Sequence, residues 1–332
     1  MAIDLSKKRI FMIHGLASKP PETALHELWS NCLIENIRLD DAPLARAIEG
    51  QPSILRHAYW ANKIPHHIED DRRYVRRLRG QVDEVIEARQ KMGGDFHVGT
   101  RQKIGAFFKD RGLDLVNVFA NALTIKDNVA KAMLREVELY SEDQYIADSI
   151  RRPLEEGLRG AWDDGCEVLL ISHSMGSFIA YDVLWRFSHR NVDEFRKYRN
   201  KRVRMFVTIG SPLGDGVVRE LLFAHHHRKA GARHFPTNID YWHNYACLGD
   251  VVSHEHDFKE AFFEPMAKEK LFPKRIGHRA KNYDNLYNPF TVVTHKGNRT
   301  KEKRNPHKSY GYLVQPRLGT WVADFLRGRV KA

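Results

Sequence analysis

The chain has little to hold it together beyond a core of its own. It has only three cysteines, Cys32, Cys166 and Cys247, at no framework spacing, which excludes a disulfide scaffold. Cys166 and Cys247 sit at or beside expected strands, as buried thiols would, and suit a reducing, cytoplasmic setting. No apolar run approaches the roughly 20 residues of a membrane span, and no apolar stretch after MAIDLSKKR is long enough for a signal peptide. Internal repeats and low-complexity tracts are also missing, so solenoids and disordered arrays are set aside.

What the chain does have is apolar residues, 42% of 332, enough to bury a large core as one domain with insertions, though length alone also admits two. Its net charge of +12 and pI near 9.5 raise the question of an anionic partner. The main basic clusters are Lys301-Glu302-Lys303-Arg304, Lys201-Arg202, and Arg72-Arg73 with Arg76-Arg77-Arg79. A basic rim would concentrate the protein at an anionic phospholipid surface. Nucleic acid is disfavoured, because the basic residues are spread along the chain and form no binding module. Plain solubility accounts for most of the charge, since Asp and Glu are interspersed throughout.

Strand and helix signals alternate as a doubly wound sheet requires. Residues 9–13 read as a strand, followed by a helix over 22–37 and a strand over 54–60. The charged stretch 70–89 is a helix laced with ion pairs. Another helix spans 141–163, strands follow at 168–171, 203–209 and 239–247, and 318–326 closes the chain as an amphipathic helix.

The most informative segment is CEVLLISHSMGSFIAYDVLW, residues 166–185. It places Ser174 in a tight turn between a buried strand and an apolar helix, with small residues Ser172 and Gly176 two positions either side. A turn of this kind exposes a serine at the end of a strand and leaves the Met175 N–H at a helix N-terminus, where the dipole favours an oxyanion. The competing reading is that Ser174 merely caps the helix.

The wider pattern resembles the α/β-hydrolase superfamily, in its lipase and esterase branch. The resemblance is carried by IHGL at 13–16, SHSMGS at 172–177, TIGSPL at 208–213, YWHNYACLGDVVS at 241–253 and PHKSYGYL at 306–313. Ser172 stands where glycine is more usual. The resemblance implies one domain over 1–332: α/β, a mostly parallel sheet with helices on both faces and helical insertions. It implies Ser174 as nucleophile, His307 as general base and acid, and Asp250 as the residue that orients the imidazole, in the order serine, acid, histidine. It also implies an oxyanion hole from the N–H groups of Leu16 and Met175. Asp215, in the GSPLGDG turn, is the rival acid.

A serine hydroxyl is a weak nucleophile, so an imidazole must take its proton, and a carboxylate must fix the tautomer and stabilise the imidazolium. Among eighteen histidines, His254 and His256 share a short loop with Asp250, and His295 precedes the basic loop; all three are weaker bases than His307 in this layout. His225-His226-His227 with His234 could suggest a metal, but consecutive helical residues face different ways. The run GDVVSHEHD loosely resembles a metal-dependent phosphoesterase loop, without the partner motifs. No cofactor or metal is expected.

Two insertions should shape the substrate site. Residues 92–140 carry Phe107, Phe108, Leu115, Val118 and Phe119 among charges, either an apolar lid or a face packed on the sheet or on a partner subunit. Residues 255–306 mix aromatics with lysines and arginines and suit a pocket wall or an interaction surface. The sequence thus leads to a serine hydrolase of a carboxylic ester, with a lipid or phospholipid acyl ester as one candidate substrate, working through an acyl-enzyme. The alternative is an inactive member of the same fold that binds an anionic partner, a membrane surface or nucleic acid.

Overall fold

A computed structural model of the chain describes residues 3–16, 18–64, 68–92, 137, 139–226, 231–250, 252–253, 258–272, 279–296 and 299–330. Six strands, β1 (Lys8–Ile13), β2 (Leu55–Ala58), β3 (Glu167–His173), β4 (Val203–Ile209), β5 (Ile239–Cys247) and β6 (Ala280–Leu286), form one sheet in the order β2-β1-β3-β4-β5-β6. Every neighbouring pair is parallel. The order reverses between β1 and β3, and the crevice beyond the strand C-termini at such a switch point is where open α/β sheets bind ligands.

The run Val168-Leu169-Leu170-Ile171 is apolar throughout because β3 is covered on both faces, as parallel sheets require. Leu169 and Ile171 enter one core with helices α1 (Glu22–Asp40), α2 (Ala42–Glu49), α3 (Arg72–Met92) and the closing helices. Val168 and Leu170 enter the other with α4 (Gln144–Asp163) and α5 (Met175–His189). The two closing helices are α6 (Ser309–Leu313) and α7 (Pro316–Leu326). None of the described helices is long and apolar enough to cross a membrane.

The span expected as a second insertion, 255–306, is in part framework. Its residues 280–286 are β6, pairing Trp242 with Ala280 and Tyr245 with Tyr283 on β5. The sequence AKNYDNL hid this, since an edge strand is half solvated and carries polar residues that a central strand would not. Thr291–Lys296 and Arg299–Arg304 then form an antiparallel hairpin separate from the main sheet. The first insertion, 92–140, lies outside the described residues except for residues 92, 137, 139 and 140. Of these, the Tyr140 ring meets Phe178 edge-on at 5.2 Å, and its hydroxyl donates to Asp182.

One buried amide joins the chain termini of the first core. Asn36 of α1 donates to the carbonyls of Leu313 and Gln315 at 2.9 and 2.8 Å and accepts from Arg89 Nε of α3 at 3.0 Å. Helix α7 approaches so closely that a Cβ on Gly319 would stand 2.9 Å from Asn36 Cγ. Because Asn36 is 1% exposed, truncation would leave its partners buried without water. Asn36→Ala should therefore lower unfolding free energy by about 2–4 kcal/mol in denaturant titrations. A change below about 0.5 kcal/mol would show that this junction is dispensable.

Candidate active site

The turn after β3 follows from its small residues. Ser174 adopts φ 55° and ψ −131°, a region that non-glycine residues rarely occupy. Such strain persists only where surroundings impose it. Here the neighbours do so: a Cβ on Gly176 would lie 2.6 Å from the His14 carbonyl oxygen, and one on Gly15 would lie 2.5 Å from Ser174 Cβ. The turns after β1 and β3 therefore touch, and Leu16 directly follows the contact point. Ser177 Oγ donates to the Ser174 carbonyl at 2.5 Å, and Ser174 N–H donates to Ile209 O at the end of β4.

The structure brings Ser174, His307 and Asp250 together, although 133 residues separate the first two. His307 Nε2 stands 3.0 Å from Ser174 Oγ, and His307 Nδ1 stands 2.9 and 3.0 Å from the two Asp250 oxygens. With Nδ1–H donating to the carboxylate, Nε2 is left to accept the serine proton. Asp250 is fully buried, which alone would raise its carboxyl. The facing His307, its hydrogen bond and the Tyr312 hydroxyl overcome this and hold the carboxyl at about 2. Tyr312 Oη donates to Asp250 Oδ2 at 2.5 Å and accepts from Cys247 N–H at 3.0 Å, while Val252 N–H donates to Oδ1.

Asp215, the rival acid, has a different role. Its carboxylate accepts from Val218 N–H at 3.0 Å and caps the short helix Gly216–Glu220. Of the rival bases, His254 and His256 lie outside the described residues, and His295 falls in the separate hairpin. His225 and His226 end a helix of four residues, and no cluster of three or more His, Cys, Asp or Glu that could hold a metal ion occurs among the described residues.

The two N–H groups expected to receive an oxyanion flank Ser174. Met175 opens α5, where the first N–H groups lack helical partners, and Leu16 follows the Gly15 contact. A cavity of about 170 Å³ opens beside them, lined by Leu16, Lys19, Trp29, Ser174, His307 and Lys308 among others.

Four positioning residues escaped the sequence reading. His14 stacks on Trp60 with centroids 4.7 Å apart, and its Nε2 accepts from the N–H groups of Trp60 and Ala61 at 3.1 and 3.3 Å. Its proton therefore sits on Nδ1, which donates to Gly15 O at 2.9 Å. His173 Nε2 donates to the His307 carbonyl at 2.7 Å. Burial, first of all, lowers both His14 and His173 well below the ordinary imidazole range, so neither carries charge. Asn288 brackets His307 by donating to the carbonyls of Pro306 and Lys308, each at 2.8 Å. Tyr312 is the fourth, through its bond to Asp250. The PHKSYGYL motif contained Tyr312, but nothing in residue spacing pairs Asn288 with a loop about twenty positions later.

Comparison with protein-family models, with curated proteins and with solved structures finds no match. The site is therefore read from its own geometry.

Asp250 is ionised in the folded chain to lower pH than in an unfolded one, where a carboxyl titrates near about 3.9. Its contribution to stability is present above about pH 4 and is lost as pH falls toward about 2, a total on the order of 2–3 kcal/mol. Unfolding free energies measured across that window should decline less steeply in Asp250→Asn than in the wild type. Equal slopes would assign the acid limb to other groups.

Proposed function

We propose that the chain is a serine hydrolase of the α/β-hydrolase type that cleaves a carboxylic ester through an acyl-enzyme. The carrying observation is the unbroken hydrogen-bonded path from Ser174 Oγ through His307 to a buried, ionised Asp250. The location supports the same reading, since Ser174 lies at the C-terminal end of β3, beside the switch point of the sheet.

Ser174 Oγ attacks the ester carbonyl while His307 Nε2 takes its proton. The developing oxyanion is held by the N–H groups of Leu16 and Met175, fixed donors that need no reorganisation. The imidazolium is stabilised by Asp250, whose second oxygen is already engaged by Tyr312. His307 then gives the proton to the leaving alkoxide oxygen as the carbonyl carbon–oxygen bond breaks, leaving acyl-Ser174. Water, deprotonated by His307, attacks the acyl carbonyl; the released product is the carboxylic acid, and the serine recovers its proton.

Purified protein should be labelled by a fluorophosphonate probe at Ser174, and Ser174→Ala should abolish both labelling and ester turnover with folding intact. His307→Ala should lower kcat about a thousandfold or more, and Asp250→Asn should approach that loss, while Asp215→Asn should act mainly on stability through its helix cap. Absence of labelling in well-folded protein, with and without phospholipid vesicles, would move the reading to a binding protein built on this fold.

A further inference from the structure

The cavity at Ser174 has a chemical bias that the triad does not use. Two lysines, Lys19 and Lys308, line it, and among the described residues no Asp or Glu does. Lys308 directly follows the catalytic base in sequence, and Asn288 holds its carbonyl. Among the described residues its ammonium has no carboxylate partner; it lies 5.7 and 5.9 Å from the centroids of the Tyr310 and Phe290 rings. Burial, then the nearby Arg77 guanidinium, bring it down to about 8, so it is still mostly charged at neutral pH. Lys19 Nζ donates to the carbonyl of Leu16, so the second cation is tied to the strand turn that carries an oxyanion-hole N–H.

A half-buried cation beside aromatic rings, with no carboxylate partner among the described residues, is costly unless something compensates it. Its position in the wall of a cavity that also exposes the nucleophile makes the substrate the natural source of that compensation. We propose that Lys308, with Lys19, forms a subsite for an anionic group, a carboxylate or a phosphate, carried by the ester close to its scissile bond. Anions enter favourably because cations in a low-dielectric cleft focus the field there. A cavity of about 170 Å³ is small beside the roughly 300 Å³ and upward of common ligand pockets, which suits a short charged group better than a long acyl chain. This inference rests on the hydrolase reading and narrows its substrate class.

The test compares kcat/KM for chain-length-matched aryl esters: neutral butyrate, anionic succinate and anionic 3-phosphonopropionate. The wild type should prefer one anionic ester over the neutral one by about tenfold or more, the size of a charge-assisted hydrogen bond. The better of the two separates carboxylate from phosphate. Lys308→Met should bring that ratio close to one, and Lys308→Arg should restore most of it; as a binding readout, free succinate or inorganic phosphate should slow fluorophosphonate labelling of the wild type but not of Lys308→Met. A ratio near one in the wild type, or a preference that survives in Lys308→Met, would overturn the subsite while labelling and neutral-ester turnover left the hydrolase reading standing. Loss of labelling at Ser174 in the wild type would instead remove the parent reading.

Discussion

The arrangement depends on how closely three strand ends approach one another at Ser174. A serine at φ 55° costs about 1–3 kcal/mol against an ordinary conformation, and nothing local repays that. The repayment is non-local: α5 must start where it does to bury Phe178, Ile179, Val183 and Leu184, and β3 must run to His173 to pair with β4. Fixing both ends leaves a single residue to reverse the chain. Gly15 and Gly176 are then dictated, because a methyl at either position would occupy the space of Ser174 or of the β1 carbonyls. Gly210 completes the ring at φ 56°, where a Cβ would stand 3.1 Å from Asp250 Oδ2 and 3.3 Å from His307 Nδ1.

Holding His307 against Ser174, 133 residues away in the chain, is a different problem, and the solution is backbone anchoring. His307 lies on a loop, where an unassisted side chain would sample several rotamers. Its carbonyl is taken by His173, the carbonyls on either side by Asn288, and its N–H by Asn305 Oδ1 at 3.2 Å. The fit around Asn288 is so close that Gly311 has no room for a Cβ. With the main chain fixed at three consecutive residues, only the imidazole torsions remain, and the Asp250 bond sets those.

The sequence made the central strands and the tight turn at Ser174 legible, because each is encoded locally: an uninterrupted apolar run marks a strand covered on both faces, and small residues mark a tight reversal; the meeting of Ser174 with Asp250 and His307 was expected only from the resemblance. What it concealed is encoded between segments. β6 is polar because it sits at an edge, so its register with β5 shows only when the sheet is assembled. Asn288, Tyr312 and His173 act through single hydrogen bonds to residues far away in the chain, and no periodicity announces a hydrogen bond. Asp215 and Asp250 were comparable as letters, each an acid after a strand; the difference is that one carboxylate meets a helix N–H and the other an imidazole.

The electrostatics of the site separate one histidine from its neighbours. His14, His57 and His173 crowd the same region, with His14 and His57 rings 5.8 Å apart and His173 and His307 rings 4.7 Å apart. If several were protonated together, they would repel one another and compete for Asp250. Burial prevents that by pushing all three down, His57 to about 3. Among the described histidines, His307 is the one whose ring nitrogen bonds the ionised carboxylate, and it is partly open to the cavity. The buried negative charge also explains why Tyr312 must remain a protonated donor: burial, and then Asp250 itself, push its hydroxyl well above the ordinary phenol range. A carboxylate that is fully buried yet held near 2 is thus maintained by its donors together: the Tyr312 hydroxyl, the Val252 N–H and the His307 imidazole.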